Sequence, residues 1–131
     1  MDFSSLVLVE RDSENNIIKE LGSYEVTEGA EYITKLYYDG KCINLYFDTK
    51  RDVEEWEYTA IFDLFDFRPF EENGFEINDI DDEYNPTWQI KFEFNQEYDI
   101  VKEKLCLACE LIKQGIHKVF VEIKGKEEEY V

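Results

Sequence analysis

Three cysteines and one histidine are the residues of this chain best suited to metal binding or redox chemistry. Cys106 and Cys109 form a Cys-x-x-Cys motif, which in redox proteins stands where a strand enters a helix, because the helix N-terminus lowers the thiol pKa. Here the pair falls in the middle of an amphipathic pattern that predicts a helix. We therefore interpret the cysteines as small, semi-buried residues that pack as hydrophobic side chains.

A zinc site would need two further ligands, for which Cys42 and His117 are the candidates. In a continuous helix Cys109 and His117 would lie about 12 Å apart along the axis, too far to share one ion. A break of the helix at Gly115 would remove this objection. We predict no metal site and no cofactor.

Catalytic motifs are not found in the sequence. His117 could serve as a base, but no nucleophile motif surrounds it, and the chain contains no Gly-x-Ser-x-Gly, Walker or Gly-x-Gly-x-x-Gly pattern. We interpret His117 as a solvated or helix-end histidine. With 32 Asp and Glu residues, pairs of carboxylates arise by chance and do not indicate a glycosidase. We predict no catalytic residues and a protein that is not an enzyme.

The acidic run 78–83 resembles a cation-binding loop. It lacks the register and the central glycine of an EF-hand. We expect a solvated acidic loop, and leave open whether residues 79–83 hold a weak Ca²⁺ or Mg²⁺ site.

Charge is the dominant property of the chain, which carries 32 acidic against 14 basic residues, a net charge of -18. Because 44% of the residues are hydrophobic and 16% are aromatic, the acids must cover a folded body. Such a globule is repelled by nucleic acids and anionic membranes and attracts basic partners. We therefore expect a basic protein partner, no direct contact with nucleic acid and no membrane association.

The acids concentrate in residues 48–84, which hold 14 acidic and 3 basic residues, a net charge of -11. If residues 52–67 form a helix, Tyr58, Phe62 and Phe65 lie at i, i+4 and i+7, opposite its core stripe. This aromatic patch ringed by carboxylates suits a basic partner. Burial of both helix faces, or a strand, would remove the patch. The predicted partner-binding residues are Glu54, Glu55, Glu57, Tyr58, Phe62, Phe65 and Asp66.

The length of 131 residues predicts one compact domain, 1–131, with a loose acidic tail from Lys124 to Val131. The N-terminus, Met1-Asp2-Phe3-Ser4-Ser5, lacks the basic and apolar regions of a secretory signal. An odd number of cysteines does not form a disulfide framework. We therefore expect a reducing, cytoplasmic setting.

Alternating apolar residues predict strands at Ser5–Glu10, Ile17–Val26, Tyr32–Tyr38 and Lys41–Asp48, with a hairpin turn at Asp39-Gly40. In the last of these strands, Ile43, Leu45 and Phe47 form the better core face. A later strand is predicted where Trp88, Ile90, Phe92 and Phe94 alternate with polar residues. The segment between, Phe70–Asn85, is predicted to be an acidic, turn-rich connector.

Residues 52–67 fit a helix better than a strand, with Asp52 and Glu55 as a capping box and Arg68-Pro69 as the end. A second helix is predicted after Asn95, with its C-cap at Gln114-Gly115. Whether residues 116–123 continue this helix or form a strand stays open.

These elements predict an α+β fold. An antiparallel sheet, built of N-terminal hairpins plus one later strand, would be covered on one face by one or two helices. The function that fits is a small acidic binding or inhibitor-type module that docks a basic protein surface. The alternatives are a nucleic-acid mimic that blocks a DNA- or RNA-binding protein, and a domain whose acidity serves solubility alone.

Overall fold

The computed structural model describes residues 4–26 and 28–130, and it confirms the α+β class. Its strands are β1 (Ser4–Arg11), β2 (Ile17–Val26), β3 (Ile33–Tyr38), β4 (Cys42–Asp48), β5 (Glu76–Ile80) and β6 (Thr87–Glu93). Its helices are α1 (Glu55–Leu64), α2 (Arg68–Glu72), α3 (Tyr98–Glu122) and α4 (Glu127–Tyr130), with a short 3₁₀ helix at Ala30–Tyr32. The described strands form one sheet in the order β2-β1-β3-β4-β6-β5.

The sheet is mixed, so the expectation of a purely antiparallel sheet is wrong. Val9 pairs with Tyr37 in a parallel ladder between β1 and β3, whereas the other neighbouring strands are antiparallel. The reason is the place of β2 at the sheet edge. The chain reverses after β1 and again after β2, so β3 returns beside β1 in the same direction.

The predicted core face of β4 is confirmed. Ile43, Leu45 and Phe47 are fully buried, and each stands directly opposite an apolar residue of β6. These partners are Phe92, Ile90 and Trp88, respectively. Because opposite residues of an antiparallel pair share a face, the two central strands present one continuous apolar surface.

The helix predicted between residues 52 and 67 is present as α1, with two differences at its ends. It begins at a cap formed by Glu54 instead of Asp52, where the Glu54 N–H donates to Glu57 Oε1 at 2.8 Å. Pro69 opens α2 instead of closing α1, because a proline in the first helical turn lacks only an N–H that would stay unpaired.

Strand β5 occupies part of the segment that was predicted to be a connector. Ile77 is its one buried residue, and acidic or polar residues surround it. A five-residue edge strand with a single buried side chain leaves no alternation to detect. Its pairing with β6 places Ile77 opposite Ile90.

Helix α3 runs without a break to Glu122, which settles residues 116–122 as helix. Gly115 is therefore not a C-cap. A Cβ atom at this position would stand 2.9 Å from Cζ of Phe65, so the glycine makes room for that ring inside the helix.

The two chain ends are described to different extents. Residues 1–3, on which the expectation about a signal peptide rests, lie outside the described residues, as does Val131. In the segment predicted to be a loose tail, the structure has helix α4, whose Tyr130 hydroxyl donates to Asp63 Oδ2 at 2.6 Å. Across residues 4–26 and 28–130, the structure has no helix with the length and apolar character needed to cross a membrane.

Candidate acidic docking surface

The start of α1 meets the loop after β5. The Tyr58 hydroxyl donates to the backbone carbonyl of Glu83 at 3.0 Å, although 25 residues separate the two. This contact brings Tyr58 of α1 beside the acidic loop, whose Asp81, Asp82 and Glu83 carboxylates act on its hydroxyl. We call the combined region the acidic surface; it comprises Glu54, Glu55, Glu57, Tyr58, Asp79, Asp81, Asp82, Glu83 and Tyr84.

Two of these carboxylates also hold the helix start in place. Glu57 accepts the backbone N–H of Glu54, and Glu54 Oε2 accepts the indole N–H of Trp56 at 2.8 Å. Negative charge at a helix N-terminus is favourable because it faces the positive end of the helix dipole. Glu54 and Glu57 therefore have a structural role. The Glu55 side chain is exposed, and its carboxylate makes no hydrogen bond or ion pair with a described residue.

Two ionisable groups of the acidic surface have raised pKa values. Burial raises the pKa of Tyr58, and the carboxylates of Asp81, Asp82 and Glu83 raise it further. Burial likewise raises the pKa of Asp79, with a further contribution from neighbouring Asp81. Between residues 4 and 130, leaving out residue 27, no ion pair includes a carboxylate of the acidic surface.

Asp66 lies in a different environment from the other predicted binding residues. Its carboxylate accepts from the Arg68 side chain and backbone at 3.0 Å and from Lys118 Nζ at 3.2 Å. The Arg68 guanidinium, and then the Arg68 backbone N–H and Lys118, hold the pKa of Asp66 well below its usual range. The charge of Asp66 is thus already compensated within the chain.

The predicted aromatic patch does not form on the outside of α1. Phe65 is 7% exposed and stacks on Trp88 at 4.2 Å, and Phe62 meets the same indole edge-on at 5.5 Å. The reason lies in the helix end: α1 stops at Leu64, and Phe65 has an extended backbone that turns its ring into the core. Of the three predicted aromatics, Tyr58 remains at the rim.

The cysteines and the histidine do not come together. Cys106 and Cys109 lie within α3, and burial raises the pKa of Cys109 to about 12, which suppresses thiolate chemistry. His117 is exposed on the same helix. In the part of the chain that the structure describes, no three His, Cys, Asp or Glu side chains are grouped to hold a metal ion.

Sequence reasoning missed the pairing of the α1 start with the 81–84 loop and the exposure of Tyr84, which is 80% exposed. The acidity of the loop was visible, but its position depends on the register of β5 and on the Tyr58 hydrogen bond. Neither has a local signal in the sequence.

Comparison with known proteins assigns the chain to a family. All of it, residues 1–131, matches the family of unknown function DUF6762, and the chain belongs to that family. No curated protein and no solved structure gives a significant match.

Proposed function

We propose that this member of the DUF6762 family is a non-enzymatic binding protein that docks a basic protein surface, as an inhibitor-type module would. The observation that carries the proposal is the acidic surface, where Tyr58 joins two acid-rich chain segments whose carboxylates lie in no ion pair with a described residue. Folded proteins usually offset such charge with neighbouring Lys or Arg. An uncompensated cluster costs stability through self-repulsion, which a cationic partner would relieve.

The composition of the acidic surface fits a protein partner. Tyr84 is exposed and Tyr58 is half-buried, and tyrosine provides contact area together with a hydrogen-bonding hydroxyl. Surrounding carboxylates would attract Lys and Arg of the partner and raise the association rate, which falls as salt is added. We therefore expect binding that is fast and salt-sensitive.

We also propose that the helices cover one face of the sheet and give the acidic surface a rigid support. Phe65 of the α1 end and Phe70 of α2 both contact Phe47 of β4, with ring centroids 6.0 Å apart in each case. Phe75 contacts Phe92 of β6 on the same apolar face.

A cytoplasmic setting would keep the cysteines reduced, and the three of them are free thiols in the described structure.

The test compares two charge reversals of equal size. The triple variant Glu55→Lys, Asp81→Lys and Glu83→Lys alters the acidic surface but keeps Glu54, Glu57 and the Glu83 carbonyl. The control variant Glu127→Lys, Glu128→Lys and Glu129→Lys makes the same change in α4. The two variants and the unaltered protein serve as baits in a lysate of the source organism, and mass spectrometry quantifies what each retains at low and high salt.

We expect the unaltered bait and the α4 variant to retain a basic protein at low salt. The acidic-surface variant should retain about tenfold less of that protein, or still less. Equal losses from both triple variants would contradict the proposal, because binding would then depend on the total charge and not on the acidic surface. An unaltered bait that retains no basic protein would favour acidity that serves solubility alone. Double-stranded DNA added as a competitor tests the nucleic-acid mimic, because a mimic and DNA would occupy the same basic groove and exclude each other.

A further inference from the structure

A concave groove lies on the C-terminal half of α3, where the turn after β4 and the 3₁₀ helix approach it. Its volume is about 300 Å³, at the small end of the range for small-molecule sites. The side chains that matter for its chemistry are Tyr32, Arg51, Ile116, His117, Phe120 and Val121. The groove combines an apolar wall from α3 with a single strong cation.

Arg51 is that cation, and its geometry leaves its donors available. The guanidinium carbon lies 3.6 Å from the centre of the Phe120 ring, so the ring covers one face of the guanidinium. The N–H donors of a guanidinium lie in its plane, and stacking does not use them. None of the ion pairs within the described residues includes Arg51.

The turn that carries Arg51 is held by hydrogen bonds. The Thr49 hydroxyl, on a residue only 2% exposed, donates to the Arg51 carbonyl at 2.8 Å. Asp48 Oδ1 accepts the backbone N–H of Lys50 at 2.8 Å, and Lys50 has a left-handed backbone with φ of 62°. The ordered turn fixes the backbone of Arg51 and the Phe120 ring contacts its guanidinium, which together lower the entropy cost of binding.

We propose that this groove binds a small organic monocarboxylate with an apolar tail. A carboxylate matches the planar fork of Arg51 with two parallel N–H···O bonds. The tail would pack on Val121, which is 64% exposed and would be shielded by the ligand. Tyr32 and His117 add polar groups at the rim.

The electrostatics of the whole protein favour a ligand with a single negative charge. The chain has a net charge of -18, so its field opposes anions and opposes a dianion twice as strongly. The nearby Lys113 is ion-paired with Glu28 and does not add a free charge to the groove. One available guanidinium therefore suits one carboxylate better than a phosphate monoester.

Hexanoate is the probe, and hexanol is the matched uncharged compound of the same chain length. Titrations are followed by the amide ¹H–¹⁵N shifts of the labelled full chain. We expect saturable shifts for hexanoate, centred on Arg51, His117 and Val121, with a dissociation constant of about millimolar order for so small a ligand. Hexanol should bind at least about tenfold more weakly, because it lacks the charge-assisted hydrogen bonds.

Variants separate the role of Arg51 from general charge. Arg51→Gln removes the cation of the groove, and Lys50→Asn removes the neighbouring positive charge with a residue that accepts a left-handed backbone. Val121→Glu places a carboxylate in the groove at an exposed position that should not disturb folding. Arg51→Gln and Val121→Glu should each weaken hexanoate binding about tenfold or more, and Lys50→Asn should leave it within about twofold.

Three results would contradict the proposed carboxylate site. These are no saturable shift in the groove, equal binding of hexanol and hexanoate, and equal weakening by Arg51→Gln and Lys50→Asn. Because the acidic surface shares no residue with the groove, either proposal can fail without the other.

Discussion

The two ends of α1 belong to the same acid-rich segment but differ in how their charge is used. At the N-terminal end, Glu55 and the 81–83 loop present carboxylates that pair with no cation among the described residues. Just beyond the C-terminal end, Phe65 enters the core and Asp66 is bound by Arg68 and Lys118. The net charge of a segment therefore does not tell which of its carboxylates are available to a partner.

The largest expected effect is a difference in unfolding free energy between variants near the two ends of α1. Phe65→Ala should lower the free energy of unfolding by about 3–5 kcal/mol, because it removes a buried ring that stacks on Trp88. Tyr84→Ala, on the exposed loop of the acidic surface, should change it by no more than about 0.5 kcal/mol. Urea unfolding of both variants measures the difference, and similar losses would contradict the contrast.

A smaller effect is expected from the paired carboxylate. Asp66→Asn should cost about 0.5–1 kcal/mol of unfolding free energy near neutral pH, since its partners lie at the surface, where water screens the attraction. The Asp66 pKa is lower in the folded than in the unfolded protein. The stabilisation is thus complete above the unfolded pKa of about 4 and is lost as the pH falls below it.

Urea unfolding at a series of pH values checks this sign. The gap between the unaltered protein and Asp66→Asn should be constant from about pH 6 to pH 7 and should narrow below about pH 4. Asp81→Asn, in the loop of the acidic surface, serves as the control and should show no comparable gap. A gap for Asp66→Asn that widens in acid would contradict the paired role.

The smallest expected effect concerns self-repulsion at the acidic surface. The double variant Asp81→Lys and Glu83→Lys, which leaves the α1 N-terminus unchanged, should raise the unfolding free energy by under about 1 kcal/mol at low salt, because it relieves repulsion between neighbouring carboxylates. In 1 M salt the Debye length falls to about 3 Å, and the gain should disappear. A gain that persists in 1 M salt would show that it is not electrostatic.

Features that depend on local pattern could be predicted from the sequence. The strands β1 to β4, the strand β6 and the buried side of β4 follow from period-two alternation, as Ile43, Leu45 and Phe47 show. Helix α1 and most of α3 follow from their apolar stripes. In each case the signal lies within the element itself.

Features that depend on distant contacts could not be predicted. The parallel pairing of β1 with β3 is set by where β2 lies, and β5 is defined by its partner β6 more than by its own residues. Gly115 carries the signal of a helix end, yet it stands inside α3, where the Phe65 ring packs against it. The acidic surface likewise exists because Tyr58 reaches Glu83 across 25 residues.

Carbodiimide cross-linking of the captured complex would locate the docking surface, because it couples a carboxylate to a partner lysine only where the two are in contact. The unaltered protein would be captured with its partners at low salt and treated with the carbodiimide, and the linked peptides identified by mass spectrometry. We expect links at Glu55 and at residues 81–83, with none at Asp66, whose carboxylate is engaged by Arg68 and Lys118. Links concentrated outside the acidic surface, or spread evenly over the acids of the chain, would contradict it.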